Sequence, residues 1–405
     1  TIKTSRPGII RTPHAGLVDR FRLYPMRIGF LFNHDQIHQV AHSLPIAMAL
    51  ADGGFAGEII VATTNARLAR EVRRLAGGRL GAAIRHIELQ LAPGSRLIAG
   101  TLESVAPLGK LLVYRDNLDF FRSLDILVVA EKTSLLLKTR YGLDDLKIIH
   151  TRHGAGDRAI GFDKASAGFD HILCSGPKIR DRLIGQANIS PERISIVGYP
   201  KFELAAPVLP KTDDRMTVLY NPHPSPHLSS WYRHGRAVLD YFVDHAEYRL
   251  IFAPHVMLFE RKFVVTVDRL TIDRPGRIAE RYVQASNIHV DLGSAASTDM
   301  SYTQAADIYL GDASSQIYEF LLRPRPCLFL DSHGADWQEN PNFAHWHAGP
   351  VITGPCQLDE GLRRARATHE AQYRAIQQAM FAESFDITDT PSSQRAAEAI
   401  AACAG

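Results

Sequence analysis

Histidines and serines at the ends of apparent strands are the residues of this chain best suited to chemistry. In Asp307–Asp331 (DIYLGDASSQIYEFLLRPRPCLFLD), a strand pattern runs into Gly311-Asp312-Ala313-Ser314-Ser315 and a helical pattern follows. The spacing predicts a helix over Ser314–Leu322, with Asp312 or Ala313 near its N-cap and Ser314 and Ser315 in its first turn. Unpaired backbone N–H groups, two hydroxyls and the positive helix end together make an anion site suited to phosphate. A plain capped helix after a strand is the alternative. In Thr151–Phe162 (TRHGAGDRAIGF), His153 ends the apparent strand KIIHT beside Gly154 and Gly156. A histidine there can take a proton from an attacking hydroxyl, and the glycines allow close backbone approach to a ligand. A turn histidine without chemistry is the alternative. His255 ends the strand pattern of YRLIFAPHV, where it can hydrogen-bond a phosphate and offset charge on a leaving group. His223 and His227 sit in the proline-rich loop YNPHPSPH after another strand pattern, and Lys201 in SIVGYPKFE can reach a phosphate. Each of these also reads as an ordinary turn.

His34, His38 and His42 recur at i, i+4 and i+8, on one face of the first predicted helix. His34 is nearest the end of the first strand and, with His38, is a candidate for touching an acceptor. A metal needs a third ligand that the pattern does not supply, so none is expected. A polar stripe on a partly buried helix is the plainer reading for His38 and His42.

The elements that would position these residues alternate strand and helix. Met26–Asn33, Glu58–Thr63, Asp125–Ala130, Lys147–Thr151, His171–Ser175 and Ile194–Val197 read as strands of a first α/β domain. After a proline-bearing linker at Leu204–Asp214 the alternation restarts with Thr217–Tyr220, Tyr248–Ala253, Ile288–Val290, Asp307–Leu310 and Pro326–Leu330. Helices are predicted over 35–53, 65–76 and 229–245. A helical tail is predicted over 358–402, broken near 388–393. Two consecutive α/β domains imply facing Rossmann-like halves, with ligand in the cleft at the carboxyl ends of their strands. The expected boundaries are an extension at 1–25 before Met26, a first domain at 26–205, a second at 206–385 and a helical tail at 386–405.

The 405 residues are 45% hydrophobic and 22% charged, with a formal net charge of +3, which excludes a disordered chain and gives no sign of a nucleic-acid binder. No apolar run is long enough to span a membrane, and the first residues lack the apolar core of a secretory signal. Cys174, Cys327, Cys356 and Cys403 are scattered, as suits reduced thiols in a cytoplasmic protein. Arg67, Arg70, Arg73, Arg74, Arg79 and Arg85 lie on and after one helix. They are either a solvated face or a peripheral contact with anionic lipid on the inner face of the cytoplasmic membrane, each cation contributing about 1 kcal/mol there.

In their order, His153-Gly154, Gly198-Tyr199-Pro200-Lys201, Pro254-His255 and Asp312-Ala313-Ser314-Ser315, with Arg325-Pro326 and Phe329, resemble the motifs of the CDP-glycerol glycerophosphotransferase (teichoic-acid-polymerase-like) family. The similarity covers about residues 145–335. Arg158 stands where the family motif carries a lysine, and Ala313 where it carries a tyrosine. The resemblance implies a GT-B-like α/β fold: two facing Rossmann-like domains, an interdomain cleft and a C-terminal helical segment crossing back. It implies His153 as the base on an acceptor hydroxyl and His255 as a contact to the leaving pyrophosphate. Asp312, Ser314 and Ser315 would be donor-phosphate residues, with Gly154, Arg158, Lys201 and His223 around them. The expected activity is transfer of glycerol phosphate or a related alditol phosphate from a CDP-activated donor to a hydroxyl of a glycan or lipid, in cell-envelope polymer synthesis. No cofactor and no nucleic acid are implied. A GT-B glycosyltransferase using a nucleotide sugar, a sugar-nucleotide 2-epimerase-like enzyme and a non-enzymatic polysaccharide- or lipid-binding protein are the alternatives.

Overall fold

The computed structural model describes residues 25–33, 37–102, 108–152, 154–157, 162–204, 209, 213–260, 263–266 and 271–404. Apolar runs bounded by turn residues become strands buried on both faces, and they assemble into two parallel sheets. The first has seven strands in the order β3-β2-β1-β4-β5-β6-β7. These are β1 (Arg27–Phe32), β2 (Glu58–Thr63), β3 (Arg85–Glu88), β4 (Ile126–Val129), β5 (Lys147–Thr151), β6 (His171–Cys174) and β7 (Ile194–Ile196). The register sets Ile28 beside Ile59 and Ile126, so apolar side chains line both faces in rows. Continuous apolar strands of this kind need helices on both sides, and both faces carry a core.

The second sheet has six strands in the order β12-β9-β8-β13-β14-β15. They are β8 (Met216–Asn221), β9 (Tyr248–Phe252), β12 (Ile288–Val290), β13 (Ile308–Gly311), β14 (Cys327–Leu330) and β15 (Val351–Ile352). A small antiparallel hairpin, β10 (Val264–Thr266) with β11 (Thr271–Asp273), stands apart. Counted from its own first strand, the second sheet repeats the 3-2-1-4-5-6 order of the first, which is the Rossmann order. Two Rossmann-like domains therefore face each other in a GT-B-like arrangement.

Differences from the sequence reading have physical causes. Strand β3 (RHIE) lies on an edge, is partly exposed and carries charge, so it has no apolar run. The first helix begins at Val40, after a 3-10 turn at Ile37–Gln39. Asn65 caps the next helix, Ala66–Ala76, by accepting the Leu68 N–H. The helix expected from Ser314 is only Ile317–Phe320, so Ser314 and Ser315 lie in the turn before it. Most of the expected linker, 205–208 and 210–212, falls outside the described residues.

The tail is helical over Leu358–Thr368, Arg374–Ser384 and Ser392–Ala402, with a wide π turn at His369–Tyr373. It crosses back to the first domain near Ser384. There Ser175 Oγ donates to the Ser384 carbonyl (2.8 Å) and the Asp386 N–H donates to the Ser175 carbonyl (2.8 Å). Ala396, Ala397 and Ile400 of the last helix then enter the core of the first sheet. Among the described residues no helix is long and apolar enough to cross a membrane.

The basic helix does not present six unpaired cations. Arg67 pairs with Glu260, Arg73 with Glu88, Arg74 with Glu71, Arg79 with Asp52 and Arg85 with Glu58. Five of the six arginines are thus locally balanced by a carboxylate.

Candidate active site

In a doubly wound sheet the crevice opens where strand order reverses, between the first and fourth strands. Both sheets put residues of one cleft at that point. It holds about 490 Å³ and is lined by Glu131 after β4, by Asn221 and His223 after β8, and by Ala313, Ser314 and Ser315 after β13. His42, Lys110, Lys132, His150 and Arg152 line the first-domain side, and His255 adds to the second. Four Lys or Arg, three carboxylates and five His line the whole, with Lys132 paired to Asp163.

His223 and His255 are held alike. Each follows one of two adjacent parallel strands, and each ring accepts a backbone N–H two residues on. Ser225 N–H donates to His223 Nδ1 (3.0 Å) and Met257 N–H to His255 Nδ1 (3.3 Å). With Nδ1 accepting, the neutral ring carries its proton on Nε2, which makes Nε2 a donor. The ring centroids lie 6.3 Å apart.

Ser315 is exposed in the cleft, whereas Ser314 is buried and donates to Asn221 Oδ1 (2.6 Å). Asp312 is buried beneath the wall rather than on it. Its carboxylate accepts from His223 N (2.9 Å), Ser230 N (2.6 Å), Ser230 Oγ (2.8 Å) and Ala313 N (2.7 Å), and so holds the histidine-bearing loop. Burial pushes its pKa up to about 6, although those donors pull the other way. Lys201 lines the cleft, but its charge is spent on Glu319 Oε1 at 2.5 Å, both side chains being buried. Tyr199 OH donates to the same oxygen (3.0 Å). The G-Y-P-K turn thus seals the seam between domains.

Gly154 has φ +97°, a conformation side chains resist, and lines the cleft. A Cβ on Gly156 would come within 2.8 Å of Ser315 Cβ, so only glycine lets this first-domain loop touch the second domain. His153, Arg158 and His34 lie outside the described residues, and for His38 only the backbone is described.

Sequence reasoning missed several wall residues. His42 is buried edge-on against Tyr199, with centroids 4.9 Å apart. Burial lowers the Arg152 pKa to about 10, and its guanidinium lies over the Phe162 ring. Glu131 accepts from Tyr114 OH (2.8 Å). Asp157, beside the quoted Arg158, is a hub. Lys178 Nζ (3.0 Å) and Tyr318 OH (2.6 Å) donate to Oδ1, and His345 N (3.0 Å) and Nδ1 (2.7 Å) donate to Oδ2. Burial alone would raise its pKa, but the His345 hydrogen bond and the Lys178 charge hold it well below the usual carboxylate range. Only the aspartate in H-G-A-G-D-R hinted at this hub, because His345 is 188 residues away in sequence.

Comparison with family models gives no match. Comparison with curated protein sequences gives none either. Solved structures do match. The wall teichoic acid polymerase TagF aligns with TM-score 0.56 and 14% identity, over 94% of this chain and 89% of that one. A putative UDP-N-acetylglucosamine 2-epimerase from Listeria monocytogenes aligns with TM-score 0.55 and 14% identity, over 94% and 96%. The glycotransferase of kitacinnamycin aligns with TM-score 0.50 and 13% identity, over 93% and 99%. The likeness is one of fold, the two-domain Rossmann-like GT-B arrangement.

Proposed function

We propose that the protein is a transferase acting on a nucleotide-activated donor, and that the group moved is glycerol phosphate or a related alditol phosphate carried on CDP. The observation that carries this reading is the pair of histidines at the ends of β8 and β9. Their Nδ1 atoms accept from the same backbone turn, which leaves the proton of the neutral ring on Nε2, in the cleft that the exposed Ser315 also lines. Such a pair supplies preorganised donors where charge builds on a departing phosphate. The fold of TagF, also solved as a variant soaked with CDPG, and the order of the H-G, G-Y-P-K and D-A-S-S motifs support the alditol phosphate.

In this reading a hydroxyl of a glycan or lipid acceptor attacks the donor phosphorus. A new P–O bond forms, the phosphoanhydride bond breaks and CMP leaves. His153, between the cleft-lining Arg152 and Gly154 in sequence, takes the hydroxyl proton, while His255 and His223 stabilise the leaving phosphate. A nucleotide-sugar glycosyl transfer with attack at the anomeric carbon is the second reading, favoured by the similar fold of the glycotransferase of kitacinnamycin.

Thermal-shift titration against CDP-glycerol, CDP-ribitol, CMP, UDP and UDP-sugars tests the donor. A ligand at about 100 Kd adds about 2.7 kcal/mol of stability. Stabilisation by CDP-alditols and CMP but not by uridine nucleotides is expected, and the reverse overturns the alditol reading. His153→Ala should then lower turnover about 10²–10⁴-fold with donor affinity kept, whereas His255→Ala should lower both. Equal losses of donor affinity would remove His153 as the base.

A further inference from the structure

We infer that His345 is a doubly protonated positioning residue, whose imidazolium ties Asp157 of the glycine loop to the carbonyl of Asp312 in the D-A-S-S turn. The tie would fix the acceptor-side loop against the donor-side turn. The names of those two sides rest on the proposed function, but the protonation and the tie do not.

His345 is 3% exposed and sits in a 3-10 segment of the second domain, Pro341–Ala348. Nδ1 faces Asp157 Oδ2 at 2.7 Å, and Nε2 faces the Asp312 carbonyl oxygen at 2.8 Å. Neither partner can donate. A carbonyl has no proton to give, and Asp157 is ionised, with Lys178, Tyr318 and the His345 backbone N–H also pointing at it. Each ring nitrogen must therefore carry a proton, and the ring is a cation. A neutral ring would set a lone pair against one of the two oxygens, with both His345 and Asp157 only 3% exposed.

The charges around the ring fit this assignment. The helix Pro177–Ala187 supplies Lys178, which also donates to the Ala155 carbonyl (2.7 Å) and lies 3.7 Å from the Tyr318 ring centroid. The same helix supplies Arg182, which donates to the Asp157 carbonyl. Glu383 of the helix Arg374–Ser384 acts on Lys178 and Tyr318 only through its field. Phe329 stands edge-on to the ring (5.7 Å), and Trp346 Nε1 shares the Asp312 carbonyl (2.8 Å). Asp157 thus bonds two cations, Lys178 and His345, and the surplus positive charge lies next to the turn that carries Ser315.

The tie spans the cleft. Gly156 touches Ser315, and only glycine fits there.

The test uses the full chain with 15N-labelled histidine. At pH 7 the His345 ring should show two protonated nitrogens, assigned by the signals lost in His345→Gln. A bare ring nitrogen at pH 7 overturns the inference. Hydrogen exchange of the 154–157 amides should be at least tenfold faster in His345→Gln, and unchanged exchange overturns the tie. Should that variant not fold, Asp157→Asn supplies the assignment through the shift it imposes on Nδ1, and the wild-type spectrum still decides. Neither readout uses a nucleotide, so this inference and the proposed function fail separately.

Discussion

Asp157 and Asp312 lie on opposite sides of the cleft. Both are nearly inaccessible, at 3% and 1% exposure, and each carboxylate accepts four hydrogen bonds. Their acidities nonetheless move in opposite directions. Burial raises both, but Asp157 ends far below the usual range and Asp312 at about 6. The donors to Asp312 are backbone amides and one hydroxyl, whereas those to Asp157 include Lys178 and His345. Neutral dipoles offset only part of the desolvation cost, and full charges reverse it. The first site is built to hold two domains together, and the second to hold a loop that carries a cleft-lining histidine.

The largest break in this comparison should come from Asp157→Ala. It leaves Lys178 and His345 buried without their carboxylate, and removing one partner of a buried ion pair costs about 3–5 kcal/mol. Urea unfolding should show that loss, and a cost under about 1 kcal/mol would mean the cluster does not hold the fold.

The pH dependence should differ in sign. The folded pKa of Asp312 lies above its unfolded value of 3.8. Its contribution is therefore full below that value and is lost as pH rises through about 6. A shift from 3.8 to about 6 corresponds to on the order of 3 kcal/mol, at about 1.4 kcal/mol per pH unit. The folded pKa of Asp157 is depressed, so its contribution is present above the unfolded value and is lost as pH falls through the acid range. Unfolding measured at pH 4, 5, 6 and 7 should show Asp312→Asn costing less as pH rises. The cost of Asp157→Asn should shrink only toward acid. Parallel slopes would erase the distinction.

A smaller effect should come from Gly156→Ala, where the new Cβ would lie 2.8 Å from Ser315 Cβ. Overpacking of this kind costs about 1–3 kcal/mol. Both sides of the contact are backbone-anchored, so relief requires the loop to withdraw from Ser315. Nucleotide affinity should fall by about tenfold or more, and unchanged affinity would place Ser315 outside the ligand contact.

The elements were more legible in the sequence than the site. Apolar runs such as RIGFLF and ILVV have one stable fate, a strand buried on both faces, and they lie where the patterning puts them. The strand-end histidines 223 and 255 were visible because a strand's carboxyl end is a place local pattern can mark. The pairing of Lys201 is not legible in the sequence, since nothing nearby announces Glu319, 118 residues later. Asp312 reads locally as a cap or a donor contact, but its carboxylate reaches back 82 residues to Ser230. The D-A-S-S turn looked like the start of a long helix, because the i, i+3, i+4 pattern of Ile317, Phe320 and Leu321 is local. Its early end reflects the return to β14. Pairings across two domains leave no periodicity for a sequence to show.

The smallest effect should come from a solvent-exposed ionic contact between the domains. Arg67 of the helix Ala66–Ala76 meets Glu260 of the second domain at 3.3 Å, with the two side chains 44% and 35% exposed. It crosses between domains as the Asp157 cluster does, but in water. Solvent-exposed pairs contribute about 0–1 kcal/mol, because high dielectric and side-chain entropy cancel most of the attraction. Glu260→Gln should therefore shift unfolding by under about 1 kcal/mol, and even that shift should fade in about 1 M salt, where the Debye length is roughly 3 Å. The cost of Asp157→Ala should keep most of its size in the same salt, because its partners are shielded from ions. A Glu260→Gln cost of about 3 kcal/mol, or equal salt sensitivity in the two variants, would show that crossing the cleft matters more than exclusion of water.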